Sequence, residues 1–431
     1  GAVVVPIDKD MPAEDMADIL RTAECAGLLY GVSIEPKVMT FKGQVPGLDT
    51  WLCLGRPGCE DATSLDEIAV RGREAFLGGD TSFDDAPIDP DRLATIVFTS
   101  GTTGKGKGVM LSQRNIALDM TNGMYYFAIT PRTICTLPLH HTFGSTVILV
   151  GHISQGATIY LSSGLRYIGA EIKEQQPSHL VLVPLFLEKL HNRIWTSAEE
   201  QGKAALLRTM MKASNSLRKV GIDLRRTLFK SVLAQLGGKL EMVISGGAAL
   251  RQDIIDTFDG IGVTLLNGYG ITECAPLVSC NRNKLQKRGS VGLPIKDEIV
   301  RIADPDENGE GEICVKGPNV MSGYYKDPEA TAAVFDADGF FHTGDYGKLD
   351  DEGWLYITGR LKNLIILSNG KNVYPEEIEN EIAQVPGVEE VVVYAGEGGA
   401  LKNKELIVAE IFPNEDKMRS MGIEDPLAYF N

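Results

Sequence analysis

The sequence predicts an α/β fold on three observations. Short β-branched runs alternate with longer helical stretches, glycine-rich segments sit at strand exits, and hairpins replace the alternation towards the C-terminal end. The expected layout is a large domain over 1–360 with parallel-rich sheets flanked by helices, including a small barrel-like β subdomain at about 285–360. A small α+β C-terminal domain follows over 361–431. In chain order, residues 2–5 form a β-branched run, and residues 11–25 place Met16, Ile19, Leu20 and Ala23 at helical spacing. TICTLPL (133–139) and ATIYLSS (157–163) flank a helical stretch at 144–154. HLVLVP (179–184), EMVISGG (241–247) and VTLLNGYG (263–270) are further apolar strands, each followed by a helical pattern. Buried strands joined this way form parallel sheets, whose ligands gather at the carboxyl ends. After residue 285, Asn308-Gly309 and Glu352-Gly353 mark two hairpin turns, and Pro375 opens a helix running to Ala383 that Pro386-Gly387 closes. The segment after Pro413 shows no clear element.

Composition narrows the function. Of 431 residues 43% are apolar and 23% charged, which excludes a disordered or collagen-like chain. A net charge of −16 argues against a bare nucleic-acid binder. The seven cysteines are odd in number and lack a C-x-x-C pair, so reduced thiols in a cytoplasmic protein are expected, without a disulfide framework or zinc site. No apolar run approaches the roughly 18 residues of a membrane span. The chain opens on an apolar run without Met or a signal pattern, so a start inside a domain is expected.

The strongest local signal lies between a strand at 94–98 and another at 109–111. Residues 99–108 hold four hydroxyl residues, four glycines and two lysines. Glycines let backbone N–H groups approach a polyphosphate, the hydroxyls donate to its oxygens, and Lys107 adds positive charge. The run from Gly101 to Lys107 satisfies G-x-x-x-x-G-K. Gly108 stands where a P-loop needs Ser or Thr, however, and the next helix starts later, capped by Ser112, so this is a different phosphate loop. Asp304–Gly309 reads like the start of a calcium loop, but Val315 occupies the twelfth position, so a hairpin is expected. Adjacent His140 and His141, in a chain with six histidines, lack the spacing of a helical metal pair. Residues 199–219 form a basic amphipathic helix, read as a packed surface helix in preference to a membrane-surface contact.

Five segments in order resemble the adenylate-forming family of acyl-CoA synthetases, peptide-synthetase adenylation domains and luciferases. They are Thr99–Gly108, which matches T-S-G-T-T-G-x-P-K-G except for Gly106; Leu137–Gly144; Ser245–Leu250; Asn267–Glu273; and Thr343–Asp345 continuing to Gly359-Arg360 and the stretch 369–379. The wording of the later motifs is most like long-chain fatty acyl-CoA synthetases. The resemblance implies a two-step reaction using ATP, Mg²⁺ and coenzyme A: a fatty acid becomes acyl-AMP, then passes to the thiol. The same chemistry on another acid or with a carrier-protein acceptor, or a non-catalytic nucleotide-binding relative, stands beside it.

By this resemblance Thr99, Ser100, Gly101, Thr102, Thr103, Gly104 and Lys107 hold phosphates, and Thr99 and Glu273 hold Mg²⁺. Thr272 touches the α-phosphate. Gly246, Gly247, Ala248, Asn267, Gly268, Tyr269, Gly270 and Ile357 surround adenine, and Asp345 with Arg360 binds ribose. His141, Gly144, Gly246 and Ala249 belong to the acyl pocket, whose wall is expected from residues 141–147, 181–187 and 246–250. Lys107, His141, Thr272 and Glu273 are the expected catalytic groups, and Lys362 matches the hinge of a mobile C-terminal domain. The family's late catalytic Lys has no match; Lys404 and Lys417 do not fit its motif. Truncation at both ends is therefore expected. Fatty acid, ATP and coenzyme A are the expected partners, with no nucleic acid and no obligate protein partner.

Overall fold

The structure, a computed structural model, describes residues 1–99, 106–127, 129, 131–164, 166–366, 372–396 and 406–430. Helix α1 (Ala13–Thr22) buries Met16, Ala17 and Leu20 beside a three-stranded parallel sheet of β1 (Gly27–Gly31), β2 (Thr50–Leu54) and β3 (Thr63–Ser64). Helix α2 (Leu65–Leu77) follows, capped by Ser64. The strand expected at 2–5 does not form. Val4 makes one parallel bridge to Thr95, and Pro6, lacking an N–H, interrupts any longer ladder.

Strands β4 (Leu93–Thr99) and β5 (Lys107–Ser112) pair antiparallel with Thr99 opposite Lys107, and residues 100–105 of the expected phosphate loop lie outside the described residues. Helix α3 (Gln113–Met124) starts at once, because Ser112 and Asn115 close a capping box over its first turn. Strands β6 (Arg132–Cys135) and β7 (Thr158–Leu161) run parallel. They flank a π-helix at Phe143–Gly151 and a short helical turn at His152–Ser154.

The main sheet holds β8 (His179–Leu182), β9 (Met242–Ser245) and β10 (Thr264–Gly270) in parallel, then β11 (Leu277–Cys280) and β12 (Leu293–Pro294) antiparallel. Its residues alternate between two cores. Leu180, Leu182, Val243 and Leu265 face helices α4 (Pro184–Glu200), α5 (Ala204–Arg218) and α6 (Gln252–Gly260). Val181, Met242, Ile244 and Leu266 face Met120 and Met124 of α3 and Val147 and Ile148 of the π-helix. That is the two-sided burial expected of parallel strands, here in a mixed sheet. The single helix expected at 199–219 is instead two, because the chain turns at Gly202 in the left-handed region (φ +66°). Leu207 is buried; Met210 and Met211 pack beside it, and Leu217 lies at the exposed edge.

The hairpin region starts later than expected. β13 (Ile299–Ala303), β14 (Gly311–Lys316), β16 (Phe341–Leu349) and β17 (Leu355–Arg360) form an open four-stranded antiparallel sheet, with no barrel closure among the described residues. In between, β15 (Gly323–Tyr324) leaves to pair with β5. The stretch 304–309 is a hairpin turn, as expected: Asp306 Oδ1 accepts the N–H groups of Asn308 and Glu310. Beyond a turn at Leu361–Asn363 lie β18 (Ile365–Ile366), β19 (Asn372–Val373), α7 (Pro375–Ile382), β20 (Val388–Gly396) and β21 (Leu406–Pro413). Two short helices, Glu415–Ser420 and Pro426–Phe430, occupy the stretch where the sequence pattern shows no element.

Phe258 of α6 is fully buried against the β8–β10 face. Phe258→Ala is expected to cost about 3–5 kcal/mol of stability, read from chemical denaturation.

Candidate active site

The carboxyl ends of β8, β9 and β10 open into one cavity of about 810 Å³. Val183 follows β8, Gly246 and Gly247 follow β9, and Gly268 to Glu273 leave β10 along its wall. One part is polar, with Thr99, Lys107, Glu273, Thr343, Arg360 and Lys362. Another is apolar, with Met120, Met124, Phe127, Leu137, Val147 and Leu277. Met120, Gly123 and Met124 recur at helical spacing on one face of α3. Bare backbone is required at two positions on this wall. A Cβ on Gly270 would run into the carbonyl of Pro276, and one on Gly144 into that of Pro138.

Glu273 sits in a 3₁₀ turn (Thr272–Cys274) just past β10. Its Oε1 accepts the Tyr324 hydroxyl at 3.0 Å, and its carbonyl accepts the N–H of Met321 at 2.7 Å. Burial, then the Glu273 carboxylate, raises the Tyr324 phenol well above its usual range, so Tyr324 stays a donor. Lys107 places its ammonium 4.8 Å from the centre of the Tyr324 ring, a cation–π contact. Thr99, across the hairpin from Lys107, directs its hydroxyl at the Lys107 carbonyl (3.5 Å).

Asp345 lies within β16 and is only 3% exposed. Its Oδ2 accepts the Tyr269 hydroxyl at 2.6 Å, and its Oδ1 pairs with Arg360 Nε at 3.0 Å from the opposite residue of β17. Burial pushes this carboxyl up, against the pull of Arg360 and the Tyr269 hydroxyl. The turn before it is held from β14. Glu312 Oε1 accepts the N–H of Gly344 at 3.1 Å, Glu312 Oε2 meets His342 Nδ1 at 2.7 Å, and Thr343 Oγ1 donates to the Ile313 carbonyl at 2.7 Å. Cys314 also lies beside His342, 3.5 Å from Sγ to Nδ1. This Glu–Cys–His grouping is not apparent from sequence spacing, because it forms only across paired strands.

Most predicted residues converge. Thr99, Lys107, His141, Gly144, Gly246, Gly247, Gly268, Tyr269, Gly270, Thr272, Glu273, Arg360 and Lys362 all line the cavity, with Asp345 next to Gly344 on its wall. Ser100, Gly101, Thr102, Thr103 and Gly104 lie outside the described residues. Four others do not line the cavity. Ala248 and Ala249 are exposed and off the wall, because Gly247 turns the chain at φ +87°. Asn267 is buried in β10 away from the cavity lining, and Ile357 packs into the core beneath the hairpin sheet. Tyr269 lines the cavity, but its ring joins that core and its hydroxyl is committed to Asp345. Of the run 181–187 only Val183 reaches the wall; Leu182 and Leu187 belong to the core.

His141 is exposed and lies against His140, with ring centres 4.3 Å apart and ring planes tilted by 50°. Burial, then His141, lowers the pKa of His140, so that neighbour is neutral. Sequence reasoning missed Tyr324, Glu312 and His342, whose roles arise from pairings between distant segments. The Gly323-Tyr324 pair after an apolar Met321 was the only local sign.

Residues 1–325 match the family model described as AMP-binding enzyme. The chain belongs to the AMP-binding enzyme family. It is 32% identical to long-chain-fatty-acid–CoA ligase 5 of Rattus norvegicus over 97% of this chain and 64% of that protein. It is 30% identical to the long-chain-fatty-acid–CoA ligase FadD15 of Mycobacterium tuberculosis over 91% of this chain and 67% of that one. The chain thus spans about two thirds of the length of these curated relatives. Among solved structures, ATP-bound MatB from Rhodopseudomonas palustris is similar at a TM-score of 0.71 and 27% identity, over 96% of this chain and 74% of that one. The anthranilate CoA ligase AuaEII with anthranoyl-AMP shares the fold at a TM-score of 0.74 and 20% identity, over 98% of this chain and 75% of that one.

Gly144→Ala is expected to cost about 1–3 kcal/mol, since the new methyl forces the backbone at 138 and 144 apart. Thermal unfolding reads the loss.

Proposed function

We propose that this chain carries the adenylate-forming centre of a long-chain fatty acid–coenzyme A ligase. One observation carries the reading: a single cavity joins phosphate- and cation-binding groups to an apolar wall that includes Met120, Met124, Phe127 and Leu277. Such a space suits a nucleotide beside an aliphatic tail, and its apolar part has no charge to grip an ammonium group.

The fit to Mg²⁺-ATP rests on the donor set. Glu273 supplies carboxylate oxygen and Thr99 a hydroxyl on the same wall, the hard ligands Mg²⁺ takes. When bound, the ion offsets phosphate charge. Lys107, held at the ring of Tyr324, draws the phosphates to the same wall. Tyr324 fixes the Glu273 carboxylate on the cavity wall by donating to its Oε1. Asp345 accepts from ribose hydroxyls, and Arg360 and Tyr269 favour its ionised form against the opposing effect of burial. The bare backbone of Gly246, Gly268 and Gly270 leaves room for a flat ring. The acid's carboxylate then attacks the α-phosphorus, pyrophosphate leaves, and a thiol displaces AMP from the acyl-adenylate. Alignment and charge stabilisation supply the rate. The turn holding Lys362 is the pivot that exchanges the catalytic face between the steps.

The test is fatty-acid-dependent exchange of labelled pyrophosphate into ATP by the full-length protein. Exchange with long-chain acids is expected; exchange only with acetate or benzoate, or with no acid, overturns the reading. Glu273→Ala is expected to lower the exchange rate at least about tenfold at limiting Mg²⁺.

Tyr269→Phe removes a donor that stabilises ionised Asp345, so the carboxyl protonates at higher pH than in the parent. ATP affinity measured calorimetrically over about pH 5–8 is expected to fall away at a higher pH in the variant as acidity increases.

A further inference from the structure

Behind the cavity wall lies a polar cluster that the proposed chemistry does not use. Asp119, on α3 beside the cavity-lining Met120, is fully buried. Its Oδ1 accepts the N–H of Leu277 at 2.9 Å and Asn319 Nδ2 at 3.2 Å, and the same Nδ2 donates to the Leu277 carbonyl at 2.6 Å. Both backbone groups of this wall residue are therefore held by one acid and one amide. Two residues past Asn319, Met321 holds the carbonyl of Glu273, and Tyr324 of the same segment holds its carboxylate. Four segments distant in sequence meet here: α3, the turn bearing Glu273, the start of β11, and residues 317–324.

The cluster is short of donors. Asp119 Oδ2 and Asn319 Oδ1 are buried with no donor at hydrogen-bonding geometry, and the buried Glu298 carboxyl has only the backbone N–H of Asn319 directed at it. Neither acid takes part in an ion pair among the described residues. Around Asp119 and Glu298 stand Asp297 and the thiols of Cys274 and Cys280, with Glu273 and Asp345 acting on Cys274 and the Arg282 guanidinium on Cys280. Unmet buried acceptors are costly, and a proton on a carboxyl turns one acceptor into a donor.

We propose that Asp119 is a positioning residue that works as a neutral acid. Its O–H is the donor the cluster lacks, and the acid–amide pair with Asn319 fixes Leu277 and, through residues 319–324, Glu273. Other observations agree. Burial pushes Asp119 well above the carboxylate range, and burial followed by the Asp119 charge pushes Glu298 up to about 8, with the backbone N–H of Asn319 pulling the other way. A carboxyl that keeps its proton in the folded state stabilises fully below its unfolded pKa. That contribution is lost as pH rises towards and through the folded value.

The proposal is tested with Asp119→Asn, which keeps the shape, donates permanently and does not ionise, and with Asp119→Leu, which keeps only bulk. Between about pH 6 and 9, where surface carboxylates no longer titrate, the parent's folding equilibrium is expected to weaken with rising pH by up to about tenfold per unit per group. Asp119→Asn and Glu298→Gln should each flatten that slope. Asp119→Asn should also remove a protonated-carboxyl stretch from the infrared spectrum at neutral pH while holding Mg²⁺-ATP affinity within about twofold. Asp119→Leu should weaken that affinity at least about tenfold. A parent slope unchanged in Asp119→Asn, an unchanged infrared band, or equal affinities for the Asn and Leu variants overturns the proposal. Only the affinity readout rests on the proposed nucleotide site, so failure of that site leaves the slope and the infrared band to judge Asp119.

Discussion

Because side chains alternate across a pleated strand, the parallel register of β8, β9 and β10 determines two faces and one edge together. Leu180 and Leu182 must face one helical layer while Val181 faces the other, and the same alternation repeats in β9 and β10. With His179, Met242 and Thr264 in line, the strands deliver Val183, Gly246 and the turn carrying Glu273 to a common edge. A slip of one residue in any of the three would turn core side chains outward and move its exit off the wall. The cavity follows from sheet register before any individual side chain is considered.

On that edge, charge is managed by pairing. Glu273 meets the neutral hydroxyl of Tyr324, and Lys107 rests against the ring of the same tyrosine. The acid and the base are thus held near each other without neutralising each other. Asp345 is treated differently: it is deeply buried, with a guanidinium on one oxygen and a phenol on the other. The first arrangement leaves the Glu273 carboxylate on the cavity wall, and the second opposes the burial that favours a neutral Asp345 carboxyl.

Elements set by local chemistry were legible in the residue pattern. The Ser112 cap, the Asn308-Gly309 hairpin, the Pro375 helix start and the apolar runs at 179–184, 241–247 and 263–270 all formed where expected. The strand at 2–5 did not, because Pro6 follows it directly. Motif order also placed most site residues on one cavity. What stayed hidden depended on the chain's direction after a strand or on partners far away. The positive φ of Gly247 carries Ala248 and Ala249 outward, and no spacing rule shows that. Tyr324 reaches Glu273 only because β15 leaves the hairpin region to pair with β5, and Glu312 reaches Gly344 only through strand pairing.

Among the described residues, the stretch beyond Lys362 meets the rest of the chain where α7 packs on β17 and through individual side chains. Tyr374 stacks on Tyr346 with ring centres 5.3 Å apart, Arg251 donates to the Ala383 carbonyl at 3.3 Å, and Lys417 approaches Glu199 at 3.6 Å. An aromatic pair contributes about 0.5–1.5 kcal/mol beyond its buried area, and a half-exposed ion pair about 1 kcal/mol or less. A ligand that meets both this stretch and the cavity would add its own contacts to these, and so would favour the arrangement described here over any other.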